Sequence, residues 1–324
     1  MITASDILRL EFTPDLAHGG ILYACHSLPR LHTGTGVAGC HRLRQRAAQA
    51  AAELALRRHL VTEHVPFDVR PAIPFTDPSR FDISLHGHRC DLKTYLITNP
   101  KRILSIEMDP GQLLAASALV PSDQHAAEGQ SGDDLYLFAF LLGGNSAAPS
   151  DRTKPRAAKQ PQHLVHLMPV GWSHPRSWIP LGPLVLKSDD PGMLKLEIGG
   201  QDREREDLAC PVALPPRTRL ELAEDFHSVT YLHVETRPAG RLGIRSPSRG
   251  ETQVIHPMEW RDIWIDGRAL YLAGWITREQ FGQRARQMRE GSRVFPHDRT
   301  QTKHLTVRVS DLKPLAQLLV PARS

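Results

Sequence analysis

Residues 80–94, Arg80-Phe81-Asp82-Ile83-Ser84-Leu85-His86-Gly87-His88-Arg89-Cys90-Asp91-Leu92-Lys93-Thr94, place an apolar alternation on either side of a glycine. Phe81, Ile83 and Leu85 recur at the strand period of two, Gly87 supplies a turn, and Cys90, Leu92 and Thr94 resume the alternation on the return. The stretch reads as a β-hairpin. Successive strand side chains point to opposite faces, so Asp91 and Lys93 project from one face while Leu92 is anchored on the other.

Two carboxylates converging on one site, Asp82 and Asp91, resist joint ionisation unless a cation or proton shares the space. A divalent metal resolves the conflict. Mg²⁺ takes one or two protein carboxylates and fills its other positions with water and phosphate oxygens. Lys93 would then steer or deprotonate an attacking water, or offset charge on a phosphate. Upstream, Leu43 to Leu60 reads as a helix with arginines at 42, 44, 46, 57 and 58 on or beside a basic face. Glu53 shares a side with Leu56 and Leu60 and points inward.

Helix glutamate, hairpin aspartate and Asp-x-Lys triplet, in that order, make the segment similar to the PD-(D/E)xK phosphodiesterases, the restriction endonuclease-like family. Asp82 is followed nine residues later by Asp91, Leu92 and Lys93, and Phe81 stands where the family's proline would. The resemblance covers about residues 43–142 and, more loosely, 264–290. It implies an α/β fold: a restriction endonuclease-like mixed-sheet core with helices on both faces. It also implies a Mg²⁺- or Mn²⁺-dependent nuclease hydrolysing phosphodiester bonds in DNA, with a role in restriction or phage defence. Glu53, Asp82, Asp91 and Lys93 would be catalytic, with Asp82, Asp91, Glu53 and the carbonyl of Leu92 as metal ligands. In part of the family a glutamine on the next helix assists the site, which makes Gln112 a candidate. The alternative is a non-catalytic module on the same fold that docks on nucleic acid or a partner, for which metal is dispensable.

The 324 residues carry 40 Lys and Arg against 35 Asp and Glu, a formal charge of +5 that suits a polyanionic partner such as DNA. Cysteines 25, 40, 90 and 210 form no C-x-x-C pair, which argues against a zinc ribbon or a disulfide framework and for a reducing cytoplasm. Cys25, His26, His32, Cys40 and His41 lack the close spacing of a structural zinc site. The first thirty residues lack a basic and apolar leader, and no apolar run approaches about 18 residues, so neither secretion nor a membrane span is expected. Gly34, Gly36 and Gly39 formally fit a dinucleotide fingerprint. Pro29 interrupts the approach to them, and a hairpin rather than a parallel unit follows, so that reading is set aside.

Composition divides the chain into a first core part (1–142), a Gly-, Ser- and Pro-rich linker (143–162), a β-rich inserted module available to a protein partner (163–255) and a second core part (256–324). Within the first part, Ile7–Phe12 reads as a helical turn, Ile21–Cys25 as a strand, 112–119 as a short helix and 121–134 as a polar loop. The apolar run Leu135–Leu142 reads as a buried central strand. Thr277, with Gln280 three residues on, caps a helix carrying Arg278, Arg284, Arg286 and Arg289. The tail adds Arg299, Lys303 and Arg308 on a strand and its approaches, then a short helix.

Overall fold

The computed structural model describes residues 2–30, 36–69, 83–127, 129, 131–145, 161–296, 299–300 and 302–319. The chain forms two compact units: residues 1–20, 48–144 and 266–324 make the first, and 21–47 with 145–265 the second. The expected division changes at two points. Residues 21–47 group with the β-rich unit, and the chain returns to the first unit at 266, not 256. Of the expected linker, residues 143–145 extend a strand, while 146–160, including Arg152, Lys154, Arg156 and Lys159, lie outside the described residues.

The chain opens with a strand, Leu8–Glu11 (β1), and a helix, Pro14–His26 (α1), the reverse of the expected order of helical turn and strand. Leu8 and Leu10 alternate with polar neighbours and find a partner strand far along the chain, whereas Pro14 is well placed at a helix start and Ile21–Cys25 simply continues that helix. The next helix runs from Gly36 to Thr62 (α2), longer at its N-terminus than expected because Gly36 and Gly39 lie within it. Phe67–Asp68 (β2), Ile83–Leu85 (β3) and His88–Ile97 (β4) follow. The predicted hairpin is the β3–β4 pair, with Ile83 opposite Cys90 and Leu85 opposite His88. Its turn residues His86 and Gly87 both have positive φ, 50° and 79°, the left-handed geometry that matches the twist of paired strands.

Residues 98–121 differ from expectation. Asn99 accepts from the backbone of Lys101 and Arg102 and caps a helix at Pro100–Met108 (α3). Gln112 falls in a 3-10 turn, Pro110–Ala115, and Ser117–Pro121 is a strand (β5) rather than helix. Ser122–Ala126 is a short helix (α4) inside the expected loop. Leu135–Asn145 (β6) is the expected central strand and runs parallel to β4, with Asp91 beside Tyr136 and Lys93 beside Phe138.

The β-rich unit contains Leu164–Leu167 (β7), the short helix Val170–Ser173 (α5), Pro183–Ser188 (β8), Leu194–Gln201 (β9), Asp207–Leu214 (β10), Arg219–Asp225 (β11), Ser228–Val234 (β12), Leu242–Ser246 (β13), Glu251–Ile255 (β14) and Arg261–Asp262 (β15). They form a five-stranded sheet ordered β10-β9-β12-β7-β15 and a four-stranded sheet ordered β11-β8-β13-β14. Leu186 and Ile244 from one sheet and Leu196, Ile198 and Leu232 from the other share one apolar core. Two sheets sharing one core make the expected β-rich module a sandwich. Against the five-stranded sheet lie the end of α1 and the 3-10 turn Leu28–Arg30: His26 meets Glu197, and Arg30 Nε donates to Asp207 at 2.7 Å.

The chain re-enters the first unit along Ile265–Thr277 (β16), completing a six-stranded sheet ordered β1-β16-β6-β4-β3-β2. Thr277 caps Arg278–Arg284 (α6) as expected, its Oγ1 accepting from the Gln280 backbone at 3.3 Å. That helix stops at Arg284. Arg286–Met288 is instead a strand (β17), paired with His304–Arg308 (β18), which pairs with β5. The short helix Ala316–Leu319 (α7) follows. One face of the large sheet, through Tyr136, Phe138, Phe140 and Tyr271, packs on Ile103, Ile106, Phe281 and the inner side of the three-stranded sheet, Ala118, Val120 and Val307. Among the described residues no helix is long and apolar enough to cross a membrane.

Candidate active site

The β3–β4 hairpin sets Asp91 and Lys93 on one face of β4, while Cys90 and Leu92 are buried on the other. Lys93 Nζ lies 2.6 Å from Asp91 Oδ2, with the two side chains 12% and 28% exposed. The same ammonium donates to Gln124 Oε1 at 2.8 Å and sits 5.8 Å from the centre of the Tyr136 ring. Two oxygens and an aromatic face therefore fix a cation beside a half-buried carboxylate, and the ring adds a favourable cation–π contact.

The surroundings of the pair are tied together by further contacts. Tyr136 comes alongside Asp91 through the parallel register of β4 and β6, and its hydroxyl lies 3.2 Å from His125 Nδ1. Burial lifts the Tyr136 phenol above its ordinary range, with Arg278 opposing and Asp91 reinforcing the shift. Burial, helped by Arg278, holds His125 below the usual histidine range, so it stays neutral at pH 7. Arg278 binds the carbonyls of His125 and, at 3.1 Å, Ala127, and thereby pins the C-terminal end of α4, the helix that carries Gln124. The His125 ring packs 5.7 Å from Phe281.

Of the residues proposed from sequence, the structure brings Asp91 and Lys93 together. Asp82 lies outside the described residues. Glu53 is buried on α2 as expected and is ion-paired with Arg57, one turn along the same helix. The Leu92 side chain is 1% exposed, and its backbone lies in the ladder beside Leu137. Gln112, expected on a helix, lies in a 3-10 turn, where its amide oxygen accepts from Ser105 Oγ. The glutamine at Lys93 is Gln124, which sequence reasoning missed together with His125, Tyr136 and Arg278. Gln124 was hidden in a segment polar enough to read as loop. The parallel pairing of β4 with the long apolar strand β6 was the one signal that could have found Tyr136.

Among the described residues Asp91 offers the site one partly exposed carboxylate, whose charge the Lys93 ammonium balances, so a divalent cation would have to share or displace that ammonium. Comparisons of the chain with protein-family models, with curated proteins and with solved structures yield no match.

Proposed function

We propose that the chain is a metal-dependent nuclease that hydrolyses phosphodiester bonds in DNA, on a core of the restriction endonuclease-like kind. The observation that carries this reading is the Asp91–Lys93 pair, held at 2.6 Å on the strand that leaves the hairpin and buttressed by Gln124. Asp91 and Asp82 would hold Mg²⁺ or Mn²⁺, with Glu53 and the Leu92 carbonyl as further oxygen donors. A bound divalent ion supplies Lewis acidity at a phosphoryl oxygen and lowers the pKa of a bound water.

The chain's own residues do the rest. An ammonium has three donors, and in Lys93 Asp91 and Gln124 take two of them. The third is available to a phosphate oxygen or to the attacking water. Gln124 and the Tyr136 ring keep that donor aimed, so the charge developing on phosphorus-bound oxygen meets a preorganised cation rather than one that must reorient. Phosphate-ester hydrolysis requires acceleration worth on the order of 20 kcal/mol. A basic groove without such a centre does not supply that.

The test is cleavage of plasmid, linear and single-stranded DNA and of RNA with Mg²⁺ or Mn²⁺, comparing the wild-type chain with Asp91→Ala and Lys93→Ala. Metal-dependent cutting of DNA that both substitutions abolish is expected. An absence of cutting by the wild-type chain, with DNA binding unchanged in both variants, would replace the enzyme by a binding module.

A further inference from the structure

Between Arg284 and Lys313 the chain carries eight Lys and Arg against three Asp and Glu. That excess of five equals the excess of the whole chain, 40 against 35, so the remaining residues hold 32 of each. The segment is strongly basic, and the fold places most of it on the three-stranded sheet β17-β18-β5 and its adjoining loop. Leu305 and Val307 turn inward against the core with Ala118 and Val120. By alternation His304, Thr306 and Arg308 face outward, and Arg286, paired with Thr306, joins them.

Arg286, Arg289, Arg293, Lys303 and Arg308 are all exposed, and among the described residues none of these side chains makes an ion pair. Gathering like charges without counter-charges destabilises a compact chain. A polyanion laid across the face relieves the repulsion and gains from counterion release. The edge of this sheet is joined through the backbone to the helix that buttresses the candidate active site. His304 pairs with Pro121, and the Ser122 backbone donates to the Lys303 carbonyl at 3.0 Å. Ser122 begins α4, the helix whose Gln124 holds Lys93.

We infer that the outer face of the three-stranded sheet, which carries Arg286 and Arg308, together with Arg289, Arg293 and Lys303 on the adjoining loop, binds the phosphate backbone of duplex DNA. The inference rests on the nuclease reading for its substrate, while the surface itself is read from charge and register. Its contacts are to phosphates, so binding is strongly salt-dependent and indifferent to sequence.

Binding is measured by fluorescence anisotropy with a labelled duplex in EDTA across a salt series, on the full chain. The variants are the triple substitution Arg286→Gln/Lys303→Gln/Arg308→Gln and a charge-matched control on the β-rich unit, Lys187→Gln/Arg219→Gln/Arg245→Gln. The first triple should weaken binding at least about tenfold and lower the slope of log K against log salt by about three. The control should stay within about twofold, and Arg286→Lys/Arg308→Lys should retain binding, which separates lost charge from misfolding. Equal losses in the two triples, no loss in the first, or tighter binding of single-stranded RNA than of duplex DNA would each overturn the inference. If the wild-type chain binds duplex DNA through this face but never cuts it, the surface stands and the catalytic reading falls. If Asp91→Ala abolishes cutting while the first triple binds and cuts as wild type, the reverse holds.

Discussion

Lys93 is positioned by what its ammonium touches, and each contact separates into a measurable effect. Lys93→Met preserves the aliphatic stem over Tyr136 while deleting the charge; kcat for DNA cleavage should fall by at least about 100-fold, with the duplex binding constant within about threefold. A loss confined to binding would remove Lys93 from the chemistry. Gln124→Ala leaves the Asp91–Lys93 pair but frees the ammonium to swing, and a kcat about tenfold lower at unchanged KM is expected, equivalent to about 1.4 kcal/mol of transition-state stabilisation. If KM rises instead and kcat is unmoved, Gln124 contacts substrate rather than positioning Lys93. Asp91 and Lys93 were legible because strand alternation alone puts residues two apart on one face. Gln124 was not, because nothing local marks a side chain whose role depends on where a five-residue helix docks.

At the scale of elements, the β-rich unit is tied together by the His26–Glu197–Tyr231 contacts between the end of α1 and β9 and β12. The Glu197 hydrogen bond raises the pKa of His26, and burial opposes it. The His26 hydrogen bond in turn lowers Glu197 against its own burial, with the Tyr231 hydroxyl, at 2.8 Å, assisting. The histidine contribution to stability is complete below about pH 6.5 and is lost as pH rises through its raised folded pKa. The glutamate contribution is complete above about pH 4.3 and is lost as pH falls through its lowered one. The difference in melting temperature between wild type and His26→Gln should therefore be largest between those values and shrink on both sides; a difference independent of pH would mean that the pair is not a charge interaction. In the same sheet β12 bulges between Val229 and Tyr231, and a Cβ added at Gly200 would sit 1.9 Å from the Ser228 carbonyl oxygen. That atom is backbone and cannot rotate away, so Gly200→Ala should cost at least about 2 kcal/mol in urea unfolding. Elements were readable where a period and a punctuating residue agreed, as in the hairpin with its Gly87. They were misread where the deciding partner is remote: β1 is a strand because Leu8–Glu11 pairs with Leu272–Ala269, and β17 is a strand because it pairs with β18.

At the scale of the whole molecule, composition showed that a β-rich stretch interrupts a mixed α/β core, since the alternation and turn residues change near 163. What it did not show is that residues 21–47 group with the interruption. The described residues among them are mostly helical, and a helix carries no local mark of which sheet will bury its apolar side. The difference can be tested by excision. Gly144 and Asp266, where the chain leaves and re-enters the first unit, are neighbours: a Cβ on Gly144 would lie 3.6 Å from that of Asp266. Joining 1–144 to 266–324 with a two-glycine link therefore strains neither β6 nor β16. If the insertion were only 145–265, the shortened chain would fold as a cooperative monomer. Instead, Cys25, Leu28, Cys40 and Leu43, each at most 3% exposed and all assigned to the removed unit, lose the unit they belong to. Re-exposing each of the two leucines costs about 1.5–3 kcal/mol, and domains hold only about 5–15 kcal/mol in total. The excised chain should bind an apolar dye, aggregate and unfold without a sharp transition. A second chain, in which a flexible linker also replaces 21–47, should recover solubility and a cooperative melt. A monodisperse first chain with a sharp melt would place 21–47 in the core, as composition alone suggested.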